Sequence, residues 1–500
     1  MQIYSADQTH KWDDFTIREQ NITSVELMER AATSCFNWLM KAGYRNRNFS
    51  VYCGKGNNGG DGLVIARLLA LSGHKVSVCI PEFGHKGTDD FQVNLARLHE
   101  TSALISFIPG IEQLRPVRKN DIIIDALFGS GLNRAPAGLN ADVINHLNNA
   151  DCEIIAIDIP SGMSADQSSK DYTRIHATHT LTFGQYKLAQ MMAENESDCG
   201  EVHLLDIGLS EAFHATINTG LSIADAQMVK QLYKPRKRFS HKGTFGHALI
   251  MAGSFGKIGA AVLATRACLR SGAGLTSAYI PECGYEVLQQ SAPEAMAITD
   301  TCDTHLTTLP DNCNRFASIG LGPGLGTAAE TGDMIAHLLD VYTKPVVIDA
   351  DAGNLLATRP HLLARLPQGS VLTPHPKEFD TLFGTTNNDF ERMELALSKA
   401  KELSLVIVLK GHRTLIAGPQ KAIFNSTGNP GMATGGTGDV LTGLITGLLA
   451  QQYEPFDAAV LGVYLHGLAG DAAASELGYE AMIASDIIEH FGKAFQKVSG

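Results

Sequence analysis

The chain has 500 residues, 44% of them hydrophobic and 18% charged, which is ordinary globular composition spread over more length than one hydrophobic core usually serves. A net charge of −12, with no long basic run beyond residues 234–242 (KPRKRFSHK), argues against a nucleic acid or a membrane surface as partner. The amino terminus lacks a basic-then-apolar signal, no apolar stretch suits a bilayer, and nine scattered cysteines without a CxxC pair read as reduced thiols, so a cytoplasmic home is expected.

Apolar residues at helical spacing (Val25, Leu27, Met28, Ala31, Ala32, Cys35, Leu39) follow the capping residues Thr23 and Ser24 and predict an opening helix. Residues 49–52 form a short apolar strand that empties into Gly54-Lys55-Gly56-Asn57-Asn58-Gly59-Gly60-Asp61-Gly62, ahead of a helix over 63–71. Strand, glycine loop and helix in that order form a phosphate-binding arrangement. The run is not GxGxxG, however. Two asparagines and an aspartate supply oxygens for a cation or hydrogen bonds for a polar ligand.

A strand over 75–80 and a helix over 90–99 come next, then a strand over 121–124 that ends in Asp125-Ala126-Leu127-Phe128-Gly129-Ser130-Gly131-Leu132-Asn133-Arg134. The strand over 153–157 ends in Asp158-Ile159-Pro160-Ser161-Gly162, and shorter strands follow over 180–183 and 201–205. Three strands thus end in polar, glycine-flanked segments, and in a parallel sheet such ends converge. Carboxylates gathered in one crevice repel, so a bound cation, a raised pKa, or both are expected there.

A polar connection over 208–220 places a seam near residue 222, giving domains over 1–221 and 222–500. The alternation then restarts, with strands over 247–251 and 275–280 around an Ala-rich helix over 258–269. The strand over 316–319 leads into Gly320-Leu321-Gly322-Pro323-Gly324-Leu325-Gly326, a backbone-dominated loop suited to a nucleotide-sized ligand. Later strands end in Asp349-Ala350-Asp351, in Pro374-His375-Pro376 and in Lys410-Gly411-His412-Arg413-Thr414, all on one edge if the sheet is mainly parallel. His466 and Asp471 fall in a helical run over 456–474 and read as packing residues. No fixed-period repeat relates the halves, so they are read as different folds.

The most informative stretch is NPGMATGGTGDVLTG, residues 429–443. Gly435, Gly436 and Gly438 let backbone N–H groups converge on a phosphate, and the helix start behind them adds partial positive charge. Asp439 is misplaced in a loop that only binds anions. It fits a base that takes a hydroxyl proton while a phosphoryl group is transferred to that oxygen.

These motifs bring a family into view. GNNGGDG at 56–62, DALFGSGLNR at 125–134 and AIDIPSG at 156–162 resemble NAD(P)H-hydrate epimerases, whereas GLGPGLG at 320–326, LTPHP at 372–376, LKGHRT at 409–414 and NPGMATGGTGD at 429–439 resemble ADP-dependent NAD(P)H-hydrate dehydratases. The fused order is similar to bacterial bifunctional NAD(P)H-hydrate repair enzymes. The resemblance implies a Rossmann-like three-layer α/β domain followed by a ribokinase-like α/β domain. It further implies that Asn57, Asn58, Gly59, Gly60 and Asp61, with Gly129, Ser130, Gly131, Leu132, Asn133, Arg134 and Ala135, contact the hydrated dinucleotide. Asn58, Asp125 and Ser161 would hold a potassium ion, and Asp158 would bind the substrate near its reacting carbon.

In the second half, Ala260, Gly322, His375 and Asp439 would line the hydrate site. Lys410, Gly411, His412, Arg413 and Thr414, with Gly435, Gly436, Thr437 and Gly438, would hold the nucleotide. ADP as phosphoryl donor, magnesium with it, hydrated NADH and NADPH as substrates, and a homo-oligomer, with a tetramer as the candidate state, complete the expectation. Two rivals stand beside it. A hydroxymethylpyrimidine-type kinase would use the same glycine loop and acid, and a non-catalytic nucleotide-binding scaffold would use the loops alone.

Overall fold

Five-residue runs such as Phe49–Cys53 and Ile122–Ala126 are buried along their whole length, the mark of strands covered on both faces of a parallel sheet. The computed structural model describes residues 1–500 apart from 83 and 85, and the chain divides into two units. One comprises residues 2–219 with 388–390; the other comprises Met1, 220–387 and 391–500.

The first unit holds strands β1 (Phe49–Cys53), β2 (Val76–Pro81), β3 (Leu104–Ile108), β4 (Ile122–Ala126), β5 (Glu153–Ile157), β6 (His179–Phe183) and β7 (Glu201–Leu205). They form one parallel sheet in the order β3-β2-β1-β4-β5-β6-β7. The order reverses between β1 and β4, so the carboxyl ends of β1, β4 and β5 adjoin at the switch point where α/β sheets bind ligands. The unit's longer helices are α1 (Ala6–Gln20), α2 (Ser24–Lys41), α3 (Asn57–Leu71), α4 (Asp89–Leu98) and α5 (Leu139–Asn148).

Two expectations change here. Helix α1 was not foreseen, because it buries only Trp12 and Thr16 and shows no apolar stripe; the Ser5–Gln8 capping box starts it. Helix α3 begins at Asn57, so the GNNGGDG run is largely the first turn of the helix rather than a loop before it. The physical reason is contact. A Cβ at Gly59 would lie 1.7 Å from the Gly54 carbonyl oxygen, so only glycine lets this turn sit directly on the end of β1.

The second unit holds β8 (Leu221–Ile223), β9 (His247–Met251), β10 (Leu275–Ile280), β11 (Met296–Thr299), β12 (Ser318–Leu321), β13 (Val346–Ile348), β14 (Val371–Leu372), β15 (Val406–Leu409), β16 (Leu415–Ala417) and β17 (Ala422–Phe424). The sheet runs β11-β10-β9-β12-β13-β14-β15-β16-β17-β8, parallel from β11 through β15, then antiparallel at β16 and β17, with β8 parallel to β17. Helix Thr437–Ala450 is buried from Val440 onward. Its glycines allow that. A Cβ at Gly443 would meet the Ala264 carbonyl oxygen at 2.0 Å, and one at Gly447 would meet Ser271 Oγ at 1.8 Å, so helix Ile258–Arg270 lies close against it. Asp439, in the first turn, is thereby held by a rigid central element. No helix among the described residues is long and apolar enough to cross a membrane.

Candidate functional site

In the first unit the carboxyl ends of the strands open into a cavity of about 1050 Å³. Its walls include Asn57, Asn58, Asp61, residues 129–134 and Asp158, all expected, and also His10, Asp13 and Lys187, which sequence reasoning missed. Gly59 and Gly60 face inward to the fold instead, against Gly54 and Met28, and Ala135 lies outside the lining. Gly56 caps α3 without any side-chain hydrogen bond, whereas Ser5, Thr23 and Thr88 cap α1, α2 and α4. The first-turn N–H groups of α3 are thus left for a ligand at the cavity wall.

Asp158 follows β5 with φ 66°, a left-handed backbone that a non-glycine residue adopts only when its surroundings hold it there. Lys187 Nζ approaches its Oδ1 to 2.6 Å, while the Gln190 amide donates to its carbonyl oxygen at 3.0 Å. Lys187 also donates to Thr182 Oγ1 and to the carbonyls of Phe183 and Gln185. Asp13, from α1, has its carboxyl pushed up to about 7 by burial, with Lys187 opposing and Asp158 reinforcing the shift. Burial likewise holds Asp61 well above the usual range, aided by Asp158, Asp13 and Asp90. The cavity therefore sets Lys187 among several acids, of which Asp13 and Asp61 hold their protons above the usual carboxylate range.

Asp125 and Ser161 lie next to this wall. Ser161 donates from Oγ to Asp125 Oδ1 at 2.6 Å and from its amide to Oδ2 at 2.8 Å, and Ser161 Oγ accepts from the Phe128 amide at 2.8 Å. Burial pushes the Asp125 carboxyl up to about 6, partly offset by these bonds. Asn58 is buried, and its side-chain Nδ2 has no hydrogen-bond partner among the described residues. The Asp125 carboxylate, the Ser161 hydroxyl and the Asn58 side-chain carbonyl supply the oxygen donors that a hard cation takes, whereas the unpartnered Asn58 Nδ2 can only donate, to an acceptor on a ligand.

In the second unit the ends of β13, β14 and β15 meet the start of helix Thr437–Ala450. Asp349 is the hub. Its Oδ1 accepts from Lys410 Nζ at 2.9 Å and Thr373 Oγ1 at 2.8 Å, and its Oδ2 accepts from Thr442 Oγ1 at 2.8 Å. Burial alone would raise the Asp349 carboxyl, but Lys410 and the hydroxyls hold it below its ordinary value. Lys410 is held above its ordinary value by Asp349, Glu378 and Asp439, against the opposing effect of burial. Asp439 is pushed up to about 7, first by burial and then by Asp349 and Asp351, with Lys410 opposing.

Gly436 caps the helix at φ 92°, with no side-chain hydrogen bond to its first turn, so the amides that follow stand open as an anion nest. A Cβ at Gly438 would lie 3.4 Å from Lys410 Nζ, which places the nest beside that cation. His375 is exposed, and its Nδ1 accepts from the Lys377 and Glu378 amides, so it caps the following helix while Nε2 stands 3.6 Å from Glu378. Thr414 spends its hydroxyl on Gly411, closing the loop after β15; His412 is exposed and Arg413 half-buried. Gly322 has φ 134°, and a Cβ there would meet the Asp349 carbonyl oxygen at 1.9 Å. Ala260 lies beside Gly324.

Sequence reasoning placed Asp349 and Asp351 at the right edge without giving them a role. Asp351 accepts from Lys257 Nζ at 3.1 Å and from the Gly326 amide at 2.8 Å, which joins the 320–326 loop to the strand end. His466, read as packing, is buried with its Nε2 lacking a partner among the described residues; burial lowers its pKa to about 4, and it lies beside the Thr437 backbone. Asp471 accepts from the Gly428 amide and from Asn429 Nδ2, so it supports the segment leading into the glycine loop.

The family described as NAD(P)H-hydrate dehydratase matches residues 248–493, and that described as YjeF-related protein N-terminus matches residues 24–189. A solved ribokinase-like superfamily protein from Enterococcus faecalis is 28% identical with a TM-score of 0.51, over 57% of this chain and 99% of that one, so the ribokinase-like expectation for the second half holds. The chain is 37% identical to the bifunctional NAD(P)H-hydrate repair enzyme of Moorella thermoacetica, over 98% of this chain and 96% of the relative. It is 33% identical to the Escherichia coli enzyme of that description, over 97% and 92%. With two different α/β units and full-length relatives at this identity, the chain belongs to the family of bifunctional NAD(P)H-hydrate repair enzymes.

Proposed function

We propose that the first unit exchanges the R and S forms of hydrated NADH and NADPH, and that the second dehydrates the S form at the expense of ADP, giving NAD(P)H, AMP and phosphate. The observation that carries the reading is the pairing, in one chain, of a carboxylate cavity holding Asp13, Asp158 and Lys187 with a glycine nest that opens on Asp439. A cavity alone suits many ligands, and a nest alone suits any kinase. Their combination suits a damaged nucleotide that needs its stereochemistry exchanged before one form is consumed.

The hydrate carries its hydroxyl on the carbon next to the ring nitrogen. Asp13, protonated up to about pH 7, delivers a proton to that hydroxyl, water leaves, and the nitrogen lone pair forms a flat cation. Asp158, oriented by Lys187, steadies the cation. Water returns from either face and gives its proton back to Asp13. Potassium at Asn58, Asp125 and Ser161 would steady the segment between the cavity and β4, offsetting the buried Asp125 charge.

In the second unit Asp439 takes the hydroxyl proton while the oxygen attacks the terminal phosphorus of ADP; the P–O bond to AMP breaks. The nitrogen lone pair then expels phosphate, and the neighbouring carbon loses a proton to restore the dihydropyridine. The amides of residues 435–438 hold the transferring oxygens, with one donor worth about 3 kcal/mol. Magnesium would accompany the nucleotide, with Asp351 and Asp439 the nearby carboxylates, and would neutralise phosphate charge.

The test is to mix the full chain with R and S hydrated NADH and ADP, and to follow regenerated NADH together with AMP. Full recovery of NADH, stoichiometric with AMP, is expected. Nucleotide consumption without NADH would return the kinase reading, and binding without turnover would return the scaffold.

A further inference from the structure

Strands β6 and β7 are parallel neighbours at one side of the first unit's sheet, in a register that sets His179 opposite Glu201 and Leu181 opposite His203. Side chains on a strand alternate between faces, so His179 and His203, diagonal to each other, share one face. Their rings meet: His179 Nδ1 lies 3.1 Å from His203 Nε2. Glu201 Oε2 stands 3.8 Å from the first of these nitrogens and 3.9 Å from the second. Two imidazole nitrogens and a carboxylate oxygen thus form a small triangle of ligand atoms.

The dimensions are those of a coordination site. For bonds of about 2.05 Å in tetrahedral geometry, ligand atoms sit about 3.3 Å apart. The two nitrogens are already near that spacing, and Glu201, whose side chain is 70% exposed, has freedom to close the remaining few tenths of an ångström.

The surroundings are built in the same sense. On the far side of the His179 ring, Nε2 faces Glu153 Oε1 at 3.6 Å, and the Tyr44 hydroxyl donates to that same oxygen. A carboxylate at the outer nitrogen favours the tautomer with its proton on Nε2 and leaves the Nδ1 lone pair for a metal. Trp38 from α2 packs over both rings, with centroids 4.6 Å from His203 and 5.3 Å from His179.

We infer that His179, Glu201 and His203 form a site for a divalent transition metal of the zinc class, with Glu153 orienting His179 and a fourth position open to water. The donor set excludes the commoner hard cations, because calcium and magnesium take oxygen ligands almost exclusively, whereas two imidazoles with one carboxylate suit zinc and its neighbours. The location separates it from the proposed chemistry. His179 and Glu201 begin β6 and β7, whereas the cavity opens at the carboxyl ends of the strands, and none of the three ligands lines it. A metal here ties β7, the edge strand of the sheet, to β6 through its side chains.

The experiment uses the full chain, freed of metal by chelator and titrated with Co²⁺ and then Zn²⁺. One equivalent of Co²⁺ is expected to give the intense visible bands of a tetrahedral site, which Zn²⁺ then displaces, and Zn²⁺ is expected to raise the melting temperature. In His203→Ala and Glu201→Ala the bands and the shift should be lost. Glu153→Gln should weaken affinity about 10–100-fold without abolishing the spectrum. Glu201→Ala changes an exposed side chain, so its fold is secure even if His203→Ala proves unstable. Equal Co²⁺ spectra and equal Zn²⁺ shifts in the native chain and in Glu201→Ala would overturn the assignment, as would a native spectrum of the weak octahedral type.

Discussion

Lys187 and Asp158 form a buried ion pair, 2.6 Å between Nζ and Oδ1, with side chains 2% and 12% exposed. The pair sits where Asp13 and Asp61 also crowd the cavity, and Lys187 offsets part of the repulsion by acting on Asp13 as well as on Asp158. It follows β6 in Gly184-Gln185-Tyr186-Lys187, where a single glycine and a lone lysine form no recognisable motif, so nothing in the sequence advertised it.

Asp158→Ala is expected to abolish R/S exchange while the S form is still dehydrated, measured by supplying each epimer separately with ADP. Joint loss of both activities would point to a misfolded chain and away from a local role. Lys187→Met leaves Asp158 charged and unpaired in a buried place, and should cost about 3–5 kcal/mol of stability in urea or thermal unfolding.

Asp439→Asn keeps shape and removes the base. Turnover of the S form should fall about 10²–10⁴-fold, with nucleotide affinity changed little. An unchanged kcat with a raised KM would remove Asp439 from the base role.

The two activities should respond to pH in opposite directions. Asp13 acts protonated and Asp439 acts ionised, and both carboxyls are raised to about 7. Exchange is therefore expected to fall above pH 7, whereas dehydration rises to a plateau there. The same shifts bear on stability. Folded, each group keeps its proton to about pH 7; unfolded, it loses it near 4. Folding takes up protons within that window, so stability falls as pH rises through it. Replacing Asp439 by Asn should flatten that share of the slope in unfolding measured from pH 4 to 8.

Removing potassium should slow exchange and spare dehydration, if Asn58, Asp125 and Ser161 hold the ion. Because Asp125 titrates at about 6, the potassium requirement should sharpen below that pH, where a proton competes with the cation roughly tenfold per unit. Ser161→Ala should raise the potassium concentration for half-maximal exchange. No change in that concentration would place the ion elsewhere.

Much of this arrangement was legible in the sequence for identifiable reasons. Fully apolar runs that end in Asp125 and Asp158 are strands of a parallel sheet, and a parallel sheet gathers its carboxyl ends, so their convergence is legible in the pattern, whereas the adjacency of β1, β4 and β5 is known only from the strand order. Asp439 stood out because an acid is electrostatically misplaced in a phosphate nest. What escaped notice lacked any such contradiction. Asp13 lies on a helix with no apolar stripe, and the role of Asp349 depends on Lys410, Thr373 and Thr442 arriving from three distant segments. The GNNGGDG run reads as loop because glycine argues against helix; tight packing on the end of β1 outweighs that preference.

The left-handed glycine at 322 touches the same strand end from its backbone side. With no room for a side chain between it and the Asp349 carbonyl, the 320–326 loop and the acid beneath it are fastened into a single rigid piece. A mutational scan will score position 322 as harshly as Asp439, although it performs no chemistry. Its variants will betray themselves by melting early, while those at Asp439 should stay folded and simply fail to turn over.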